Sequence, residues 1–557
     1  MAYLARKVQE FSLLRREPII LALVLVFFLF LLLLIIYPLF MVLRESLLVE
    51  GETSTANYLT LISRPYFRQV IYNTLFISIL GTAGAVACGL VFAFGMTRTD
   101  MPGKNLFLLT AILPMITPPF VNAFAFILLF GRVGIVNQVL ERFLGFKYII
   151  YGWHGVVLAH IFSFFPLAYL ITSAAFSQID QSIEDAAQDL GANSFYMLRT
   201  ITFPLITPGI LAASLLIFMS NISSFGPPAM LGGDWTVLAV EAVNQTLGVL
   251  DWGMGTTLAV ALLIPSFFLF CAQTRYKRGR SYVTVTGSPS QREFARIRPG
   301  IKWGVFSFCL AVSAFVLLVF GVILVGAFTQ TWGINYSPSL RHFQTVFRHA
   351  GRSIWNSIFL AFVGANLAAF IGLTIAYLVV RKRFLGQRVM DYLATLPYAV
   401  PGTMIGLGLV LAFNRPPLFL VGTAFIILLD FVIRRMPFGL RTGVSTLQQI
   451  DVSIEEAASD LGASPARAFI TVVIPLMKPA FIAGATFAFI RAMTEITSTI
   501  FLVTPRWRLM AVDIYNYVMA GQLGAAAALS TLLMAIIVGL IILVYRLIGV
   551  TESVFQM

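Results

Sequence analysis

Long apolar runs constrain this chain more than any other feature. Twelve of them recur, at about 19–43, 70–97, 105–130, 153–176, 204–223, 256–273, 303–328, 355–380, 390–413, 417–440, 475–503 and 525–548. A helix needs about 20 apolar residues to cross the hydrocarbon core of a bilayer. Backbone polar groups in lipid must be paired internally, so only helices and closed barrels can span. A barrel strand would alternate polar and apolar residues, and these runs do not. The predicted fold is therefore all-α and polytopic, with about twelve transmembrane helices. Composition agrees: 59% of the 557 residues are hydrophobic and 11% charged. Soluble domains carry about 25% charge, so ordinary soluble enzymes, coiled coils and disordered chains are excluded. The first run is longer than a signal-peptide core and is followed by no small-residue cleavage site, so it reads as a retained helix.

The formal net charge is +14. With the N-terminus in the cytoplasm, 24 Lys and Arg fall in inner segments and 12 in outer ones, with Lys478 and Arg491 inside a span. Arg434 and Arg435 are counted with the inner segments. This bias places both termini in the cytoplasm. The basic excess then sets topology and meets anionic lipid headgroups; no nucleic-acid motif accompanies it. Cys88, Cys271 and Cys309 lie in apolar runs and suggest neither a disulfide framework nor a metal site. His154, His160, His342 and His349 are scattered and read as ordinary interfacial residues.

The chain repeats itself. Asn73, Gly103, Pro114 and Pro118 recur as Asn356, Gly386, Pro397 and Pro401, each 283 positions later. Pro166, Asp185, Gly191, Pro204 and Pro208 recur as Pro437, Glu456, Gly462, Pro475 and Pro479, each 271 later. The change of offset marks a shorter outer loop in the second half. Two six-helix halves with both termini on one side are parallel repeats, an architecture of transporters whose pathway lies between the repeats. The division reads as a first transmembrane domain (1–273), a basic linker (274–302) and a second transmembrane domain (303–557).

The most informative segments precede the fifth helix of each half. The first reads IEDAAQDLGANSFYMLRTITFPLITPGI from Ile183, the second IEEAASDLGASPARAFITVVIPLMKPAF from Ile454. Asp180 to Ser182 and Asp451 to Ser453 can cap a helix, and acids occupy its first turn, where the helix dipole favours them. A Gly then permits a sharp turn, and a Pro opens the next span. The expected structure is a short helix, a turn and a second short helix at the cytoplasmic surface.

This pattern resembles the EAA loop of ABC importer permeases. The matching positions are Asp185, Ala186, Ala187, Gly191, Ile201, Phe203 and Pro204, and then Glu456, Ala457, Ala458, Gly462, Val472, Ile474 and Pro475. Asp185 stands where the family has Glu, with Glu184 just before it; Glu455 precedes Glu456 likewise. The resemblance covers nearly the whole chain. It implies a type I ABC importer permease with both transmembrane domains in one polypeptide, in a bacterial inner membrane. In that family the EAA helix sits in a cleft of an ATPase subunit and passes on its closure. The implied partners are a homodimer of an ABC ATPase, a periplasmic or extracellular substrate-binding protein and membrane lipids. No G-x-x-x-x-G-K-[ST] occurs, so the chain is expected to be no enzyme and to bind no cofactor, with ATP and Mg on the partner ATPase and no metal site of its own. Among such permeases it looks most like the iron(III)-importer group. Importers of 2-aminoethylphosphonate, thiamine and polyamines, and an ion-gradient-driven secondary transporter, are the alternatives.

Pathway candidates come from span interiors. Pro114 to Pro119 and Pro397 to Gly402 interrupt the third helix of each half, which membranes tolerate at protein-lined or water-lined sites. Pro114, Pro118, Pro397 and Pro401 are thus expected to flank the path. Ionisable residues in spans are costly and often functional. Asp430 with Arg434, and Arg491 with Glu495, share an i to i+4 spacing and are expected to pair. The outer segment from Ser223 to Gly255 carries Asp234, Glu241 and Asp251 with no Lys or Arg, and is expected to face the binding protein.

Overall fold

Apolar sequence with sparse charge leaves the backbone to satisfy itself, and the chain answers with helices. The computed structural model describes residues 18–278, 299–463, 467 and 469–548. Most of the basic linker (279–298), and the terminal segments with Arg6, Lys7, Arg15 and Arg16, lie outside the described residues.

The first half contains α1 (Ile20–Ser46), α2 (Pro65–Arg98), α3 (Lys104–Ile116), α4 (Pro119–Leu144), α5 (Trp153–Ser177), α6 (Gln181–Asp189), α7 (Leu198–Ile222) and α8 (Trp252–Arg278). The second contains α9 (Pro299–Phe328), α10 (Arg341–Arg381), α11 (Gln387–Tyr398), α12 (Gly402–Phe413), α13 (Ala424–Gln449), α14 (Ser453–Asp460), α15 (Ile470–Met493), α16 (Met510–Met519) and α17 (Leu523–Ile548). Among the described residues, ten helices are long and apolar enough to cross a membrane, and the bent pair α11–α12 makes an eleventh. The twelfth expected run is α13. Asp430, Arg434, Arg435 and Arg441 lie along it and interrupt its apolar stretch.

Both third helices break where the sequence predicts. Proline lacks a donor N–H and pushes the residue before it out of helical conformation. Thr117 and Pro118 are accordingly extended between α3 and α4. Pro401 is extended before α12, and the axis turns by 107° between α11 and α12.

Each half is built on a three-helix core: α2, α5 and α7 in the first, α10, α13 and α15 in the second. Glycines set the crossings. A Cβ on Gly89 of α2 would lie 2.6 Å from the Tyr169 amide nitrogen and 2.8 Å from the Phe165 carbonyl. Gly372 of α10, 283 positions on, would meet the Leu440 nitrogen and the Met436 carbonyl, each at 2.6 Å. Those contacts are the same residues shifted by 271, so the repeat seen in sequence is a repeat of helix packing.

The first helix of each half crosses to the other. α1 packs on α12, and α9 packs on α3 and α4. Gly408 of α12 lies so close to α1 that a Cβ would meet the Pro38 carbonyl at 2.8 Å. Across the second seam Thr110 and Ser313 share a hydrogen bond of 2.7 Å, Trp332 donates to the Leu128 carbonyl at 3.2 Å, and Phe126 stacks on Phe315.

Candidate functional site

The two acid-bearing loops fold alike. Asp180 accepts the Ser182 amide at 3.0 Å, and Asp451 accepts the Ser453 amide at 2.9 Å. These bonds start α6 and α14, and they hold both carboxyls below the usual carboxylate range. Each helix ends on a left-handed glycine: Gly191 at φ 86° and Gly462 at φ 83°. The amide of Leu190 bonds to the Ala186 carbonyl and that of Ala192 to Ala187; Leu461 and Ala463 bond to Ala457 and Ala458 in the same way. The bonds to Ala187 and Ala458 span the glycine as the 6→1 bond of a Schellman stop does, and the bonds to Ala186 and Ala457 are the last ordinary helical ones. The chain then enters a π turn, Leu198–Thr202 or Phe469–Val473, and Pro204 and Pro475 stand in the first α-helical turn beyond it.

The acids of each loop have different surroundings. Glu184 is buried and pairs with Arg98, the last residue of α2, at 2.6 Å, while its other oxygen accepts from Thr202 at 2.9 Å. Glu455 pairs with Arg381, the last residue of α10, at 2.7 Å, and Arg381 also donates to the Ile450 carbonyl at 2.7 Å. Arg98 and Arg381 are 283 apart, and Glu184 and Glu455 are 271 apart. Each loop is therefore tied to the end of a core helix by an equivalent ion pair. The next acid points elsewhere: Glu456 is exposed. Asp185 lies within α6, with its side chain outside the described residues. Leu190 and Leu461, the residues before the two glycines, are each 90% exposed. In the first loop Ala187, Leu190, Gly191, Asn193, Tyr196 and Thr200 line an open groove of about 620 Å³. The two arginines were legible in sequence only as basic residues that orient the chain. Their shared offset was the signal that could have singled them out.

A second constellation lies among the helices of the second half, and it corrects two expected pairings. Glu495 bonds to Arg435 and lies 3.3 Å from Arg434. The spacing from Arg491 to Glu495 is no longer helical, because α15 stops at Met493 and Thr494 leaves the helix. Glu495 turns instead to its own loop, taking the Thr497 amide at 3.0 Å, and to α13. Arg491 packs over the Phe487 ring, and its carbonyl accepts from Arg435 at 2.9 Å. Asp430 accepts from Ser498 at 2.8 Å rather than from Arg434. Arg434 reaches Gly402 and fills the space that a Cβ there would need. Arg434 and Arg435 thus belong to the interior of α13 and not to an inner loop.

The cluster abuts the broken third helix. Pro397 and Val400 line a small apolar crevice with Leu34 and Pro38 of α1, and Pro401 precedes Gly402. In the first half Pro114 is buried inside α3, and Pro118 leads into α4. Thr117 there donates to Asn122 at 2.9 Å, and Asn122 to Ser163 at 3.0 Å. That network is neutral.

The outer segment 223–255 is not an open acidic loop. It folds into short helices, Gly226–Leu231 and Leu238–Val243. Glu241 is buried, accepting from Tyr66 at 2.8 Å and Gln245 at 2.7 Å. Asp251 accepts the Met254 amide at 2.8 Å, while Asp234 is exposed. Glu241 is thus held inside between α2 and the turn that follows its own helix. Among the described residues no group of three or more His, Cys, Asp or Glu is placed to hold a metal ion.

Two pseudo-equivalent helical halves, exchanged first helices and a matched pair of tethered loops define a membrane transport component. The chain belongs to the family of binding-protein-dependent transport system inner membrane components, whose model matches twice, over residues 85–282 and 368–549. It is thus a fused, multi-pass permease of the ABC importer class. It is 32% identical over 554 residues to the ferric transport system permease protein FbpB of Actinobacillus pleuropneumoniae, covering 98% of this chain and 80% of that protein. It is 33% identical over 506 residues to the putative ferric transport system permease protein FbpB 1 of Haemophilus influenzae, covering 89% of this chain and 80% of that one. A solved bacterial ABC transporter involved in import of the polysaccharide alginate aligns with 49% of this chain and 100% of its own at 18% identity, with a TM-score of 0.43.

Proposed function

We propose that this chain forms the translocation path of an ATP-driven importer for ferric iron delivered by a substrate-binding protein. The observation that carries the energy coupling is the pair of loops with one geometry, repeated 271 residues apart. Two equal loops suit two copies of one ATPase. Leu190 and Leu461 are apolar side chains held out from the surface, and burying such groups in a partner is favourable. Glu184 and Glu455 hold the loops to the core, while Glu456 faces the ATPase and Asp185 is its counterpart in the first loop. Ala186, Ala187, Gly191 and Pro204, with Ala457, Ala458, Gly462 and Pro475, shape the docking surface. In this reading the chain itself binds no cofactor, and ATP and Mg sit on the partner.

Both termini and both loops then lie in the cytoplasm, and the domains divide at 1–273, 274–302 and 303–557. The breaks at Pro114, Pro118, Pro397 and Pro401 flank the path, with Asp430, Arg491 and Glu495 beside it. Iron as the cargo rests on the two ferric permeases named above.

The test is reconstitution. The chain is co-expressed with an ABC ATPase and a ferric-binding protein from the same organism and placed in proteoliposomes. ATP-dependent accumulation of radiolabelled ferric iron is expected, with competition by neither 2-aminoethylphosphonate, thiamine nor polyamines. Uptake of one of these in place of iron overturns the substrate. Uptake without any ATPase, driven by an ion gradient, overturns the class. Replacing Leu190 and Leu461 with Asp should abolish co-purification of the ATPase.

A further inference from the structure

The buried cluster of the second half is not electrically balanced. Arg434, Arg435 and Arg491 bring three positive charges, and Asp430 and Glu495 bring two negative ones. Holding a net charge inside a membrane protein is costly unless a counter-charge reaches it. Three shielded polar atoms of this cluster have no hydrogen-bond partner among the described residues: the donors Nη1 of Arg434 and Nε of Arg435, and one acceptor, Oδ1 of Asp430. The Arg435 side chain is 8% exposed. Arg434 Nη1 is set against Gly402, the first residue of α12, where the helix terminus adds partial positive charge. Arg491 is half-buried with its guanidinium 5.4 Å from the centre of the Phe487 ring. The neighbouring Pro397 and Val400 line the crevice against α1, so the cluster borders the seam between the halves.

The first half does not share this charge. At the positions 271 earlier it carries Ser163, Phe164 and Ser220 for the three arginines, and Ala159 and Ser224 for the two acids. Helix packing alone therefore does not require these charges.

We propose that Arg434, Arg435 and Arg491 form a transient oxyanion site on the translocation path, so that cargo crosses this membrane carrying negative charge. Guanidinium groups suit oxyanions because their planar N–H forks match two oxygens at once. For ferric iron, an identity that rests on the reading above, the cation passes with an oxyanion ligand of the phosphate or carboxylate class. The oxyanion site itself rests on the cluster alone.

The test has two arms. In the first, the complete importer in proteoliposomes receives ferric iron and radiolabelled inorganic phosphate. Phosphate is expected to accumulate with the iron. Arg491→Gln is expected to lower iron uptake at least tenfold, and Arg491→Lys, which keeps the charge but loses the planar fork and the stacking on Phe487, to lower it by less. Iron accumulation without phosphate, together with unaltered uptake by Arg491→Gln, overturns the site. Phosphate entering only with iron marks a coordinated ligand, and phosphate entering alone marks the free ion; both support the site. The second arm uses the unaltered chain and needs no variant to fold. Phenylglyoxal labelling of Arg491, mapped by mass spectrometry, is expected to slow about tenfold in phosphate but not in chloride of equal ionic strength. Equal labelling in both salts overturns the proposal while leaving iron import standing. Protection by phosphate without any iron uptake has the opposite meaning: the site stands and iron falls.

Discussion

The two halves of this permease are alike at one face and unlike in the interior. Arg98–Glu184 and Arg381–Glu455 repeat one ion pair at matching places, and Gly191 and Gly462 repeat one turn. Deeper in, the first half holds Thr117, Asn122 and Ser163 in a neutral chain, while the second holds Arg434, Arg435 and Glu495. A symmetric partner would press equally on both loops and keep them equal. Cargo that passes once through an interior has no such requirement, and there the copies have diverged.

Experiments can break this contrast at several levels. The largest effect is expected at Glu495. Removing it by Glu495→Gln leaves two arginines buried without a carboxylate, a loss of about 3–5 kcal/mol for breaking a buried pair. The corresponding Ser224→Ala should cost under about 0.5 kcal/mol. Thermal unfolding in detergent compares them, and equal shifts would erase the contrast. Next come Arg98→Ala and Arg381→Ala, each removing a charged hydrogen bond worth about 1.5–3 kcal/mol. Hydrogen exchange in α6 and α14 should rise in both, and by similar amounts; a change in one loop alone would deny the equivalence.

Gly191→Ala and Gly462→Ala force a side chain into left-handed backbone at about 1–2 kcal/mol, with open space around either position. Matched losses of ATPase-coupled uptake are expected, and unchanged uptake in both would count against the loops as couplers. Asn122→Ala should cost about 1 kcal/mol, the scale of one neutral hydrogen bond, in a thermal scan that shows no loss of ATPase binding. The smallest effect is a pH response. Asp180 and Asp451 have lowered pKa values in the folded chain. Their capping bonds are therefore fully present above about pH 4, the ordinary Asp range, and fade as pH falls through the lowered values. Exchange at the Ser182 and Ser453 amides, followed downward in pH, should accelerate together.

Much of this was legible in the sequence, for a physical reason. Spans announce themselves by length and apolarity, and the repeat by prolines and glycines whose backbone roles are hard to replace. The broken third helices followed from Pro118 and Pro401 directly. What sequence spacing missed was partner choice across helices. Arg491 and Glu495 have helical spacing, but the helix ends between them. Glu241 reads as an outer acid, yet Tyr66 and Gln245 hold it inside. Arg98 and Arg381 read as topology signals because their acids lie far along the chain. Local patterns report a segment's own periodicity; they do not report which distant side chain arrives beside it.

The crossing of α1 onto α12 has a consequence for how the protein is made. Ser46 ends α1 and Gly402 begins α12, so about 356 residues separate the contact surfaces. At a synthesis rate of about 5–20 residues per second, α1 waits roughly 20–70 seconds for its partner. During that interval α12 has not yet been made, and that face of α1 lacks its eventual partner. α1 and α9, the two exchanged helices, are also the most apolar of the ten spans, a composition that lets a newborn segment stay in the bilayer alone. Lengthening that delay, for example with a cluster of rare codons before α12, should expose α1 to membrane proteases without changing a single residue of the finished transporter.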